Sequence, residues 1–171
     1  PHVAIVGATG AVGVEMLQCL EQRKFPLGKL SLLASARSAG KPMTFRGETL
    51  VVEELTHDCF AEVDIALFSA GGGISREFGP SAAKAGAVVI DNSSAFRMDN
   101  DVPLVVPEIN PQAVKERPRG IIANPNCTTI VSLMALAPLH EIFGLRSIIA
   151  STYQAVSGSG AQGIAELEEQ M

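Results

Sequence analysis

Four stretches of strand length, residues 3–8, 30–34, 63–70 and 87–91, are apolar almost throughout. A strand with one wet face alternates apolar and polar residues, whereas one covered on both faces does not. Helical patterns separate these runs. Residues 14–23 carry Val14, Met16, Leu17 and Leu20 at helical spacing and are stopped by Pro26 and Gly28, and residues 75–85 form a second such pattern. Strand-length runs that need cover on both faces, joined by helices, predict a parallel sheet built from βαβ units. Residues 104–106 and 121–123 read as further strands. Residues 43–55 are shorter and more alternating, which predicts an antiparallel excursion after the polar loop at 35–41. No internal repeat or low-complexity tract interrupts the pattern.

At 171 residues, 47% hydrophobic and 18% charged, the chain lies outside the composition of disordered proteins. Thirteen basic against eighteen acidic residues leave a net charge of −5, so no basic field is available for nucleic acid. No apolar run approaches the roughly 20 residues that span a bilayer, and the N-terminus lacks the order of a signal peptide. Neither nucleic acid nor a membrane is expected as a partner. Cys19, Cys59 and Cys127 are odd in number and lack CxxC spacing, so neither a disulfide framework nor a metal site is expected. A reducing, cytoplasmic compartment follows, or a plastid if the source is a photosynthetic eukaryote.

Character changes after Pro125. Cys127 opens an apolar helix over 128–143, read as interrupted or kinked near Pro138 and ended by Gly144. Residues 147–154 read as a strand with a Ser/Gly-rich exit. A domain transition is therefore expected near 124–126, dividing the chain into 1–125 and 126–171. The first residues already read as strand and the last as unterminated helix, so both ends look cut.

Gly7, Gly10 and Gly13 form a GxxGxxG turn between the first strand and the first helix. Such a turn brings backbone close to a pyrophosphate and aims helix N–H groups at it, which makes Thr9, Ala11 and Val12 candidate cofactor contacts beside the three glycines. A plain tight turn is the alternative. NAD-binding chains place an acid after the second strand for the ribose 2′-hydroxyl, but residues 30–38 contain none. They offer Arg37 between Ser35 and Ser38, which suits a 2′-phosphate and makes NADP the preferred cofactor. The alternative for Arg37 is a solvated loop residue.

Cys19, within an amphipathic helix, reads as a core residue, and Cys59, beside His57 in a polar turn, reads as structural. Cys127 follows the rigid run Asn124-Pro125-Asn126 at a helix start, where backbone N–H groups and the helix dipole favour a thiolate. It reads as a nucleophile, with inert packing as the alternative.

Residues 7–13, 34–41, 64–71, 91–97, 105–108, 124–129 and 151–158 together resemble the aspartate-β-semialdehyde dehydrogenase family over essentially the whole chain. The resemblance implies an α/β chain: a Rossmann-like, doubly wound, mostly parallel sheet over 1–125, then the start of an α+β catalytic and dimerisation domain. It implies NADPH-dependent reductive dephosphorylation of aspartyl phosphate to the semialdehyde, a branch step toward lysine, methionine, threonine and isoleucine. It also implies Cys127 as the nucleophile forming an acyl-thioester. Arg97 would hold the phosphate, Asn126 would lie beside it, and Gln154 would contact substrate. Ser157 and Gly158 would join Thr9 to Val12, Arg37 and Ser38 at the cofactor, and the whole enzyme would be a homodimer or homotetramer. From the residues alone, Arg97 could equally be a surface residue, and Gln154 could face a buried partner.

The chain departs from the family in lacking its second substrate arginine, its substrate lysine and most of its dimerisation domain, and in its general base. The family's general base is a histidine of the later substrate domain, and His2, His57 and His140 lie in no matching motif. The chain by itself is therefore expected to bind NADP weakly at most and not to turn over. Three other readings compete. N-acetyl-glutamyl-phosphate reductase usually has glycine before the cysteine, where this chain has Asn126. Glyceraldehyde-phosphate dehydrogenase shares Cys-Thr-Thr but carries an acid where Arg37 stands. A non-catalytic NADP-binding module would leave Cys127 inert.

Overall fold

The computed structural model describes the backbone of residues 1–171 and the side chains of all but Ala161 and Gln162. Six parallel strands form the main sheet: β1 (His2–Val6), β2 (Lys29–Ala34), β5 (Glu53–Glu54), β6 (Ile65–Phe68), β7 (Val88–Asp91) and β8 (Ile121–Ala123), in the order β5-β2-β1-β6-β7-β8. Every pairing is parallel, with Val3 opposite both Leu30 and Ile65. The antiparallel excursion is the hairpin of β3 (Pro42–Phe45) and β4 (Glu48–Val51), a separate two-stranded sheet. Residues 53–54 leave that hairpin and join the main sheet beside β2 as β5.

The near-continuous apolar runs are explained by two cores, one on each face. Ala4, Val6, Leu33, Ala66 and Phe68 face one, with Phe60 and Phe96; Ile5, Leu32 and Ala34 face the other, with Phe45 and Val52. Successive strand residues point to opposite faces, so both parities must be apolar. Helix α1 (Ala11–Gln22) covers the second core through Leu17, flanked by Met16 and Leu20, and α2 (Gly72–Lys84) covers the first through Ala82.

Several expectations are corrected. Cys19 is exposed, not core. It stands two residues from Leu17, about 200° around the helix, so it faces away from the sheet. Residues 104–106 form no strand, only a single bridge of Leu104 to Ala123. Pro103 and Pro107 bracket the segment and have no N–H for a longer ladder. Helix α2 begins at Gly72 rather than at Ser75.

Beyond β8 the chain continues as α3 (Cys127–Phe143), unbroken through Pro138, and α4 (Ala161–Gln170). Residues 147–154 are not a strand. A strand requires a neighbour, and among the described residues none runs beside this segment. Ile149 and Tyr153 are fully exposed, and Val131, Ile142 and Phe143 of α3 are about three-quarters exposed. Among the described residues, no helix is long and apolar enough to cross a membrane.

Candidate functional site

The strand order reverses between β1 and β6, and in open parallel sheets ligands bind at such a switch point, beyond the carboxyl ends of the strands. A cavity of about 760 Å³ lies there. Its floor is the glycine turn. Gly7 has φ +86°, and a Cβ on it would sit 3.0 Å from Ala70 and from the Ser69 carbonyl carbon, so the turns after β1 and β6 can meet only with glycine here. The Gly7 N–H donates to the Leu33 carbonyl at 2.8 Å and the Gly10 N–H to the Gly7 carbonyl at 3.0 Å, which closes the turn. Gly13 is buried and does not line the cavity. A Cβ there would strike the Gly7 carbonyl and lie 2.8 Å from Ala8 Cα, so its role is to let α1 pack tightly onto the turn.

Gly10 is the N-cap of α1 and provides no side-chain cap. The first bond into the helix is Val14 N–H to the Gly10 carbonyl, so the preceding N–H groups, including those of Ala11 and Val12 at the cavity wall, are left for a ligand. Thr9 also lines the cavity. Arg37 and Ser38 reach it from a 3₁₀ turn (Ala36–Ser38) directly after β2. Arg37 is exposed and forms no ion pair among the described residues. No acid follows β2; Glu77, from α2, is the acidic residue on the wall. Apolar cover comes from Leu55, Ile74 and Phe78. Ser157 reaches the cavity together with Ser159 and Gly160, while Gly158 does not line it.

Sequence reasoning missed Ser69, Gly71, Ile74 and Phe78. The run Ser69-Ala70-Gly71 is the counterpart, after β6, of the first glycine turn after β1. That parallel was the available signal.

The second cluster surrounds the start of α3. Asn126 is its N-cap, and its Oδ1 accepts from Thr128 N–H at 3.0 Å. Cys127 is the first residue of the helix and is exposed. The Thr128 hydroxyl lies 3.3 Å from Gln154 Oε1, which sets Gln154 against the same helical turn. Arg97 donates from Nε to the Asn124 carbonyl at 2.9 Å and from Nη2 to the Asn92 carbonyl at 3.1 Å. Its guanidinium is thus tethered three residues before the cysteine. The other thiols differ in setting. Cys59 donates to the Thr56 carbonyl at 2.9 Å, and burial pushes its thiol above the ordinary range. The histidines are elsewhere. His2 bonds Ser31, His57 bonds Ser81, and His140 lies thirteen residues beyond Cys127, about 20 Å along the helix.

The sheet order, the glycine cradle and the cavity at the switch point define a Rossmann-like α/β nucleotide-binding protein. The chain belongs to the semialdehyde dehydrogenase family: residues 2–117 match its NAD binding domain and residues 136–171 its dimerisation domain. Aspartate-semialdehyde dehydrogenase of Bacillus subtilis is 55% identical over 169 residues, covering 99% of this chain and 49% of its own. That of Aquifex aeolicus is 56% identical over 171 residues, with 99% and 50% covered. The crystal structure of aspartate semialdehyde dehydrogenase II from Vibrio cholerae complexed with ASA matches with a TM-score of 0.94 at 54% identity, covering 99% of this chain and 51% of that one. The enzyme with NADP from Candida albicans matches with a TM-score of 0.71 at 31% identity, covering 84% and 48%. The chain therefore spans about half the length of the curated relatives it matches.

Proposed function

We propose that the protein carrying this chain catalyses reductive dephosphorylation of L-aspartyl 4-phosphate to L-aspartate 4-semialdehyde with NADPH, feeding lysine, methionine, threonine and isoleucine synthesis. One observation carries the reading: an exposed cysteine at the first position of α3, with Arg97 tethered to Asn124 and Gln154 bonded to Thr128 on either side of it. The attacking species is the thiolate of Cys127, exposed at the helix start. Attack of Cys127 Sγ on the acyl carbon expels phosphate, whose charge Arg97 receives, and leaves an acyl-thioester on the cysteine. An acyl phosphate is already activated, so this step asks for no metal. Asn126 keeps the helix start, and hence the cysteine, in place.

The glycine turn, the uncapped start of α1 and the size of the cavity fit a dinucleotide. When bound, the cofactor supplies hydride to the carbon held by Cys127. Arg37 and Ser38, with no acid after β2, support NADP over NAD. In this reading residues 1–125 form the cofactor domain and residues 126–171 begin the catalytic domain. The exposed apolar faces of α3 and of residues 147–154 would then be covered by the remainder of that domain and by a second subunit. A cytoplasmic enzyme of this kind draws its general base from outside this chain, since none of its three histidines is near Cys127. The 171 residues alone would not turn over.

The test is alkylation and turnover in the complete protein. Cys127 is expected to react with iodoacetamide faster than a free cysteine, to be protected by phosphate, and to abolish turnover of the semialdehyde with phosphate and NADP when changed to serine. Labelling at Cys127 no faster than at Cys19, without protection by phosphate, would favour the non-catalytic module instead.

A further inference from the structure

The mechanism leaves unused a fully buried carboxylate, Asp91, at the carboxyl end of β7. Burying a charge is costly unless it is paired or fully hydrogen-bonded. Among the described residues Asp91 has no cationic partner. Three neutral donors meet it instead. Oδ1 accepts from the Ser75 hydroxyl at 2.6 Å and from Ser93 N–H at 3.2 Å, and Oδ2 accepts from the Ser93 hydroxyl at 2.7 Å. The Ser93 oxygen in turn accepts Ala95 N–H at 3.0 Å. The turn from Asn92 to Ala95 is thus wound around a single carboxylate, which is itself fastened to α2.

That turn delivers Arg97. Phe96 is buried where α2 has a glycine: a Cβ on Gly79 would lie 3.3 Å from its ring. The two carbonyls that grip the guanidinium belong to Asn92, the residue after Asp91, and to Asn124, whose N–H donates to the Asp91 carbonyl at 2.8 Å. Both anchors of Arg97 are therefore joined to the backbone of Asp91, Asn92 through the peptide bond and Asn124 through that hydrogen bond, while the carboxylate holds the turn between them through Ser93. Nη1 makes no hydrogen bond among the described residues.

We propose that Asp91 is a positioning residue: through Ser93 it holds the 92–97 turn so that Arg97, gripped on two nitrogens, presents its remaining N–H edge to the phosphate. The inference rests on the proposed role of Arg97 as the phosphate-binding residue. A carboxylate suits the task because both its oxygens accept. Asparagine would set its N–H donors against either Ser93 N–H or the Ser93 hydroxyl, which already receives Ala95 N–H, so each orientation of the amide loses a contact on the loop side of the knot.

The experiment compares Asp91→Asn, Ser93→Ala, Ser75→Ala and Arg97→Ala, and the double variant Asp91→Asn/Arg97→Ala, in the complete protein. It reads KM for inorganic phosphate, KM for the cofactor, and thermal unfolding. Asp91→Asn and Ser93→Ala are expected to raise the phosphate KM about tenfold or more and to leave the cofactor KM within twofold. Ser75→Ala, on the helix side, is expected to do less. In the Arg97→Ala background Asp91→Asn should add nothing to the phosphate KM. A residue of purely structural importance would lower stability in both backgrounds without this selective loss. An unchanged phosphate KM in Asp91→Asn and Ser93→Ala, with Arg97→Ala impaired, overturns the inference alone. An unchanged phosphate KM in Arg97→Ala overturns the reading of Arg97 and the inference with it.

Discussion

Replacement of Gly13 by alanine isolates the contact on which the cofactor cavity depends. The added methyl would meet the Gly7 carbonyl, Ala8 Cα at 2.8 Å and Ala8 C at 2.9 Å. All three obstacles are backbone, and the backbone in question is the glycine turn itself, so relief requires α1 to lift from β1. Overpacking of this kind costs typically 1–3 kcal/mol, and three backbone overlaps place this case near the upper end. Against that, alanine gains about 1 kcal/mol over glycine in a helix. The net expectation is a loss of about 2 kcal/mol, or roughly 4–8 °C in Tm for a chain of this size. Gly73→Ala provides the control. It also sits in the first turn of a helix, but nothing lies within 4 Å of its added methyl and its φ is not positive. There the propensity gain acts alone, and stability should rise by up to about 1 kcal/mol. Urea unfolding of the two variants, with NADP titration of each, gives the assay. Only Gly13→Ala should also weaken the nucleotide, because only it displaces the uncapped N–H groups of Ala11 and Val12. If Gly13→Ala were as stable as the parent, or if both variants shifted stability in the same direction, the steric account of the turn would be wrong.

Two further outcomes are expected. Arg37→Ala should weaken NADP roughly tenfold to a hundredfold by isothermal titration, the value of a charge-assisted contact, and leave NAD within about twofold. Equal losses for both nucleotides would remove Arg37 from the 2′-phosphate. Cys59, whose thiol is pushed up by burial, should alkylate more slowly than Cys19 at pH 8. Because the unfolded chain releases that proton first, the contribution of Cys59 to stability is present below about pH 8.5 and is lost as pH rises beyond it. Cys59→Ala should flatten that part of the stability–pH curve, and an unchanged slope would contradict the assignment.

What was legible in the sequence depended on how many partners each feature needs. The first strand, the glycine turn and the helix after it are contiguous, so residues 3–23 announce a nucleotide-type turn without reference to the rest of the chain. The hairpin at 42–51 is local as well, and its alternation gave it away. Cys127 at the head of α3 followed from Asn126 and Pro125 beside it. Features that need distant partners were less visible. Residues 147–154 have strand composition, yet a strand exists only beside another, and none is supplied among the described residues. Cys19 was misplaced because helix membership alone does not say which side meets the sheet; the angle from Leu17 does. The same rule separates the two halves of the candidate site. The glycine turn could be found from one segment, but Ser69, Gly71 and Phe78 join it only once β6 is known to lie beside β1. The Asp91 knot draws on α2, β7 and the loop after it, and Ser75 lies sixteen residues before Asp91 in the sequence. Sequence position can nominate a nucleophile or a phosphate turn, because helix ends carry their own electrostatics. Holding an arginine in one orientation takes three elements folded together, which is why Asp91 becomes apparent only when Ser75, Ser93 and the carbonyls of Asn92 and Asn124 are seen around it.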